Sequence, residues 1–306
     1  MSELEQIAMR RTARATAGVM DWVALLRPAQ WMKNLLVFAA LIFSMHLLVA
    51  ESVLRTIVAF VCFCLVASAA YVVNDVHDAE RDRRHPLKSR RPIAAGRISS
   101  QSALFVAALL AAAGGSLAVA LGQSFTAIVA GYAVLQILYS FALKDVVILD
   151  VMTIAAGFVL RAVAGGVAIA VYVSPWLMLC TFLLALFLGF SKRRHEVVLL
   201  EGEAGAHRET LRDYNPYFLD QMISVVTAST VLAYAIYTVS PEVREKLHTD
   251  SLHLTIPFVL YGIFRYLYLV HRREGGGNPT HELLTDRPLW VNVLLWIGTA
   301  IWILYV

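Results

Sequence analysis

The sequence predicts an all-α, polytopic membrane protein: nine transmembrane helices around a central cavity that faces the cytosol. Three observations predict it. Of 306 residues, 59% are hydrophobic and only 16% charged, where a soluble domain carries about 25% charged residues. The apolar residues fall in repeated runs of about 20, the length that crosses a bilayer as a helix. The cations fall almost entirely in alternate connections, the pattern that orients a multi-span chain.

Taken in order, residues 1–21 form a polar lead-in with Arg10, Arg11 and Arg14 beside Glu3 and Glu5. No apolar run follows before Asp21, so no cleaved leader is expected. The remainder, 22–306, reads as one transmembrane domain. Its first span covers about 34–50, and a tight turn at Glu51-Ser52 leads into a second at about 53–73. A long polar connection, 74–101, precedes the third and fourth spans, about 102–121 and 124–143, joined by a turn at Gly122-Gln123. After 144–150 come the fifth and sixth spans, about 151–172 and 175–191, joined at Val173-Ser174-Pro175. The polar stretch 192–218 leads to a seventh span, about 219–240, and an eighth, about 253–271. Residues 272–287 hold a flexible Gly275-Gly276-Gly277 linker before the last span, about 288–306.

With the N-terminus inside, the segments 1–33, 74–101, 144–150, 192–218 and 272–287 hold 21 of the 26 lysines and arginines. The other side holds only Arg55, Arg244 and Lys246. Every long connection therefore faces the cytosol, the C-terminus lies outside, and an inner (plasma) membrane location is expected. The net charge of +4 is a topology signal, and no nucleic-acid partner is expected. Cys62, Cys64 and Cys180 lie in apolar runs and read as small buried hydrophobes.

The stretch Asn74-Asp75-Val76-His77-Asp78-Ala79-Glu80-Arg81-Asp82 closes the second span. Its carboxylates at i, i+3 and i+7 share one helix face, within roughly 60° of arc. Such a group repels itself unless a cation lies among the oxygens. Mg²⁺ takes one or two carboxylates together with waters and substrate phosphate oxygens. Asn74, Asp75, Asp78 and Asp82 are therefore the candidate metal residues, with Asn74 also a substrate contact. The bland alternative is a solvated helix end, since Arg81, Arg83 and Arg84 are interleaved. The following run tips the balance, because Arg83, Lys88, Arg90 and Arg91 are suited to grip phosphate.

Other cations surround this end of the chain. Lys33-Asn34 opens the first span, Lys144 follows the fourth, and Lys192-Arg193-Arg194 closes the sixth. Arg161 lies about eleven residues into the fifth span from Asp150, roughly 16 Å deep. A guanidinium there requires a partner or a wet cavity. Eleven residues return it to the helix face of Asp150, so both are expected to line one polar cavity. Arg265 is shallower and can snorkel. A ring of bases beside a carboxylate trio fits a polyanionic substrate. The ends of the second and fourth spans echo each other weakly, Tyr71 to Asp75 against Tyr139 to Asp145, and are expected to face one another. Phosphate-binding lysine loops, zinc helices and CxxC pairs are absent. His77, His85 and His195 read as surface residues.

These motifs resemble the UbiA superfamily of intramembrane prenyltransferases, whose members have nine helices, an Asp-rich motif after helix 2 and a second polar motif after helix 4. The resemblance runs over about 22–306 and is most detailed along the decaprenyl-phosphate phosphoribosyltransferase branch. It rests on Arg27-Pro28-x-Gln30-Trp31-x-Lys33-Asn34, Tyr139-Ser140-x-x-Leu143-Lys144, Asp150 with Gly157-Phe158-x-Leu160-Arg161, and Ser191-Lys192-Arg193-Arg194. Most of the superfamily attacks an aromatic ring with a prenyl diphosphate and carries a D-x-x-x-D second motif. Here Asp145 and Asp150 are five apart and Lys144 precedes them, which suits a basic residue on a phosphate. The resemblance implies phosphoribosyl diphosphate as donor, a polyprenyl (decaprenyl) phosphate as acceptor, Mg²⁺ as cofactor and membrane lipid around a catalytic domain. It implies catalytic roles for Asp75, Asp78, Asp82, Lys144 and Asp150. Phosphate contacts are implied for Lys33, Lys144, Arg161, Lys192 and Arg193, and a ribose or phosphate contact for Tyr139. Asn34 is a further substrate candidate. Two other readings stand beside it: an aromatic prenyltransferase, which the second motif disfavours, and a phosphorylated-lipid transporter, which would gain nothing from clustered carboxylates. Homo-oligomerisation is left open by the sequence.

Overall fold

A helix closes its own backbone hydrogen bonds, so an apolar run surrounded by hydrocarbon folds as one. The structure, a computed structural model, describes residues 17–84, 88–199, 211, 213–272 and 279–305. Among the described residues every regular element is helical, and eight helices are long and apolar enough to cross a membrane. The predicted linker Gly275–Gly277, His85 and the lead-in arginines Arg10, Arg11 and Arg14 lie outside the described residues.

The described residues open with α1 (Val19–Leu26), which overlaps the end of the stretch read as a polar lead-in, 1–21. A 3₁₀ segment, Pro28–Phe38, and the short α2 (Ala39–Phe43) follow. Next come α3 (Ala50–His77) and α4 (Ala79–Arg83). The hairpin of α5 (Ser100–Leu121) and α6 (Gln123–Phe141) turns at Gly122, whose φ of 114° is open to glycine alone. Ser99 caps α5, its Oγ accepting from the Ser102 amide at 3.1 Å. Then α7 (Leu149–Ala168) and α8 (Pro175–Leu199) flank the expected turn at 173–175. After it, α9 (Pro216–Val239) starts with Asn215 as cap and Pro216 in its first turn. The chain ends with α10 (Pro241–Leu247), α11 (Ile256–Arg272), α12 (Pro279–Thr285) and α13 (Arg287–Tyr305).

α3 packs mainly on α5, α7 lies between α6 and α8, and α8 packs on α9. Large apolar side chains on the outer helices point outward, among them Phe105, Val119, Val134, Leu294 and Trp302. Hydrocarbon is the solvent that suits them, as in a multi-pass membrane protein. At the end of the bundle away from the Asp-rich motif, Arg55 ties three helices together. Its Nε donates to the Ala168 carbonyl at 2.6 Å and its Nη2 to the Leu121 carbonyl at 3.2 Å. These are terminal carbonyls of α7 and α5, which lack helical donors.

The expected first span, 34–50, departs from the reading. It is a 3₁₀ segment and one short helix, and the chain turns over 44–49. Glu51 and Ser52, expected in a turn, lie inside the first turn of α3. A close backbone contact fixes the 3₁₀ segment on α7. A Cβ added at Gly165 of α7 would stand 2.0 Å from the Val37 carbonyl oxygen. Only glycine lets the two backbones meet there, and the contact sets Asn34 against Arg161. Gly165→Ala is expected to destabilise the bundle by about 1–3 kcal/mol, the usual range for overpacking. A lowered unfolding temperature in detergent checks it; an unchanged temperature refutes the close contact.

Candidate active site

The Asp-rich sequence is not one uninterrupted helix. α3 ends at His77, Asp78 has φ −87° and ψ 1°, and α4 begins at Ala79. Backbone hydrogen bonds continue on both sides, from Asp78 N to Asn74 O and from Asp82 N to Asp78 O. The break comes where the Asp78 side chain is pulled two ways. Its Oδ1 takes the Lys144 ammonium at 2.7 Å and its Oδ2 accepts from Asn74 Nδ2 at 3.0 Å. Lys144 follows α6, so the echoing ends of α3 and α6 do meet.

The other two carboxylates are drawn together by arginine. Arg91 Nη1 stands 3.0 Å from Asp75 Oδ1 and 2.6 Å from Asp82 Oδ2. Arg27 Nη2 also reaches Asp75 Oδ1, at 2.5 Å. Asp75 and Asp82 are buried, and unpaired buried carboxylates would be costly. Burial holds the Arg27 guanidinium below its ordinary range, and Asp75 opposes that shift. Among the described residues no three His, Cys, Asp or Glu side chains are grouped to hold a metal ion. Even so, two carboxylates converge on one cationic nitrogen.

Deeper in the bundle Asp150 and Arg161, expected to line one polar cavity, belong to two separate networks. Arg161 spends its guanidinium on Asn34 Oδ1 (2.7 Å), the Gly157 carbonyl (2.8 Å) and Tyr132 OH (2.7 Å). It lies 4.7 Å over the Tyr132 ring. Asn34 also donates to Cys64 Sγ at 3.3 Å. Asn34 and Arg161, read as substrate contacts, thus bind the 3₁₀ segment to α6 and α7. Asp150 instead takes Arg193 Nε at 2.7 Å and Tyr214 OH at 2.8 Å. Arg193 is 2% and Asp150 0% exposed, so Asp150 acts by holding Arg193, which is also paired with Glu196.

The rest of the predicted ring divides. Arg83 turns outward to Glu80 and to the Ala94 carbonyl, and Arg90 is exposed; neither reaches the carboxylate group. Lys88 is half-buried, and burial lowers its ammonium below the ordinary range. Lys192 pairs with Glu196 at 3.7 Å. Tyr139 lies within electrostatic reach of Lys33, Lys192 and Arg193. Lys33 itself lines a cavity of about 350 Å³ whose other walls are mainly apolar, among them Leu36, Phe158, Leu184 and Trp296.

A model of the UbiA prenyltransferase family matches residues 34–280. The chain belongs to the UbiA prenyltransferase family. It is 35% identical over 309 residues to a decaprenyl-phosphate phosphoribosyltransferase of Mycolicibacterium smegmatis, covering 95% of this chain and 96% of that protein. A protein of the same name from Corynebacterium glutamicum is 33% identical over 298 residues, covering 92% and 86%. The fold is similar to that of a UbiA homolog from Archaeoglobus fulgidus solved with GPP and Mg²⁺. The TM-score is 0.71 at 20% identity, over 94% of this chain and all of that one. Within this UbiA-type bundle, residue patterns missed Arg27, Tyr132, Glu196 and Tyr214 as site builders. Arg27 lay in a quoted motif beside the N-terminal span, but nothing in its spacing pointed to Asp75. Tyr214 lies in a polar connection with no periodicity to read.

Proposed function

We propose that the chain is a pentosyltransferase of the plasma (inner) membrane. It moves 5-phosphoribosyl from phosphoribosyl diphosphate to decaprenyl, or another polyprenyl, phosphate. The observation that carries this reading is a junction of two environments. Lys33, which lines the apolar cavity, lies within electrostatic reach of Lys192 and of Arg27, the base that pairs with Asp75 in the carboxylate group. One side suits a soluble polyanion and the other an anionic lipid. The relatives' names support decaprenyl phosphate as acceptor and phosphoribosyl as the group transferred.

The donor set fits a hard divalent cation. Asp75 and Asp82 oxygens already converge on a positive nitrogen, and Asp78, bonded to Asn74, lies within electrostatic reach of Asp75. Asp75, Asp78 and Asp82, with Asn74, would hold Mg²⁺, which neutralises a leaving diphosphate when bound. Arg91, Lys144 and Arg193 would bind donor phosphates and steady the charge that develops on the leaving group. Lys33 and Lys192 would orient the acceptor phosphate, its isoprenoid tail in the apolar cavity. An acceptor phosphate oxygen bonds to ribose C1 as the C1–O bond to diphosphate breaks, and diphosphate leaves with the electron pair. No general base is needed, since the acceptor is already an anion. The product would be decaprenylphosphoryl-5-phosphoribose, a precursor for cell-wall arabinan.

Purified protein given phosphoribosyl diphosphate, decaprenyl phosphate and Mg²⁺ is expected to form phosphoribosyl lipid and diphosphate in equal amounts. EDTA should abolish both and added Mg²⁺ restore them. Transfer from a prenyl diphosphate to an aromatic acid, with no phosphoribosyl lipid, overturns the reading.

A further inference from the structure

The connection between α6 and α7 carries Lys144 near its start and leads to Asp150 in the first turn of α7, and its backbone is strained between them. Ile148 has φ 68° and ψ −47°. The Leu149 amide donates back to the Val147 carbonyl at 2.8 Å. Together these make a γ-turn of the positive-φ kind, which is rare and strained. A β-branched residue is among the least suited to that conformation. Such strain persists only where the surroundings over-determine it.

One side chain supplies that determination. Tyr214 OH accepts the Ile148 amide at 2.7 Å and donates to Asp150 Oδ1 at 2.8 Å. It therefore spans the pinch of the turn. The other Asp150 oxygen takes Arg193 Nε at 2.7 Å. Four residues before the pinch, Lys144 meets Asp78 at 2.7 Å. Tyr214 is itself fixed: it is 3% exposed, its ring stacks on Phe218 with centroids 6.2 Å apart, and the next residue, Asn215, caps α9 at 2.8 Å. Burial, and then the charge of Asp150, push its phenol above the ordinary value, so it remains a hydrogen-bond donor at neutral pH.

We propose that Tyr214 is a positioning residue for phosphate binding and transfer. Its hydroxyl holds the strained turn and Asp150 in register, and through them Lys144 and Arg193. The inference rests on the proposed phosphate-bearing donor, so its test includes measurements that need no turnover. Tyr214→Phe keeps the ring and removes only the hydroxyl. Hydrogen exchange at the Ile148 amide is expected to quicken, while the unfolding temperature in detergent stays near that of the parent. Calorimetric titration with inorganic diphosphate and Mg²⁺ should show affinity weakened by about tenfold, and kcat/KM for phosphoribosyl diphosphate should fall by up to about 10²-fold, the scale of an ångström-sized misplacement.

A rescue arm separates positioning from general stability. Glycine adopts positive φ without steric cost, so Ile148→Gly should restore part of the diphosphate affinity in the Tyr214→Phe background. That double variant also serves if Tyr214→Phe alone folds poorly. Parental diphosphate affinity in Tyr214→Phe, or faster Ile148 exchange with unchanged affinity and KM, would overturn the proposal. If the parent makes no phosphoribosyl lipid, the proposed reaction fails, and exchange and diphosphate binding still judge the role of Tyr214.

Discussion

Asp78→Asn is expected to lower kcat on the order of 10²–10³-fold, the loss that follows removal of one charge-stabilising group from a preorganised site. The substitution keeps the size of the side chain and removes its charge. It weakens the hold on Lys144, which meets Asp78 at 2.7 Å, and takes away one of the oxygens proposed to face a metal. Folding should survive, because Asp78 lies at a helix break and its side chain keeps 17% exposure. Product formation is followed with labelled donor, beside membrane yield and unfolding temperature. A folded Asp78→Asn protein with parental kcat would sink the role assigned to this carboxylate.

Asp150→Ala should fail differently. Asp150 is fully buried and its partner Arg193 nearly so. Removing the carboxylate takes the acceptor from Arg193 Nε and leaves the guanidinium to Glu196 alone, and breaking a buried pair costs about 3–5 kcal/mol. It also frees the Tyr214 hydroxyl from its acceptor. The expected outcome is a sharp drop in detergent-stable protein before any effect on catalysis can be read. Asp150→Asn, which keeps the shape and part of the hydrogen bonding, should fall between. An Asp150→Ala protein as stable as the parent would show that Glu196 alone suffices to pair Arg193.

Hydropathy located eight of the nine expected spans because lipid-facing helices must be long and apolar. It could not see the 3₁₀ segment and short helix at 28–43, which lie against α7 through a backbone contact that Gly165 permits. Helix periodicity correctly brought Asp75 and Asp82 to one place, where a single arginine nitrogen joins them. The same logic failed for Arg161. Depth correctly demanded a partner, but a shared helix face is no contact, and the partners came from the 3₁₀ segment and α6. Tyr214 was invisible for a related reason: a polar connection has no period, and only the folded chain brings residue 214 to residue 148.

Arg91 shared between Asp75 and Asp82, Arg27 on Asp75, and Lys144 on Asp78 match three carboxylates with three bases. For the proposed reaction this makes loading an exchange of counterions. Asp75, Asp78 and Asp82 would exchange their side-chain cations for a metal, which would leave Arg91, Arg27 and Lys144 to contact phosphate oxygens. The desolvation of these charges was met when the chain folded, so a metal–diphosphate complex enters a site already neutral. Ionic strength should then affect its affinity less than it would for an exposed, uncompensated basic patch.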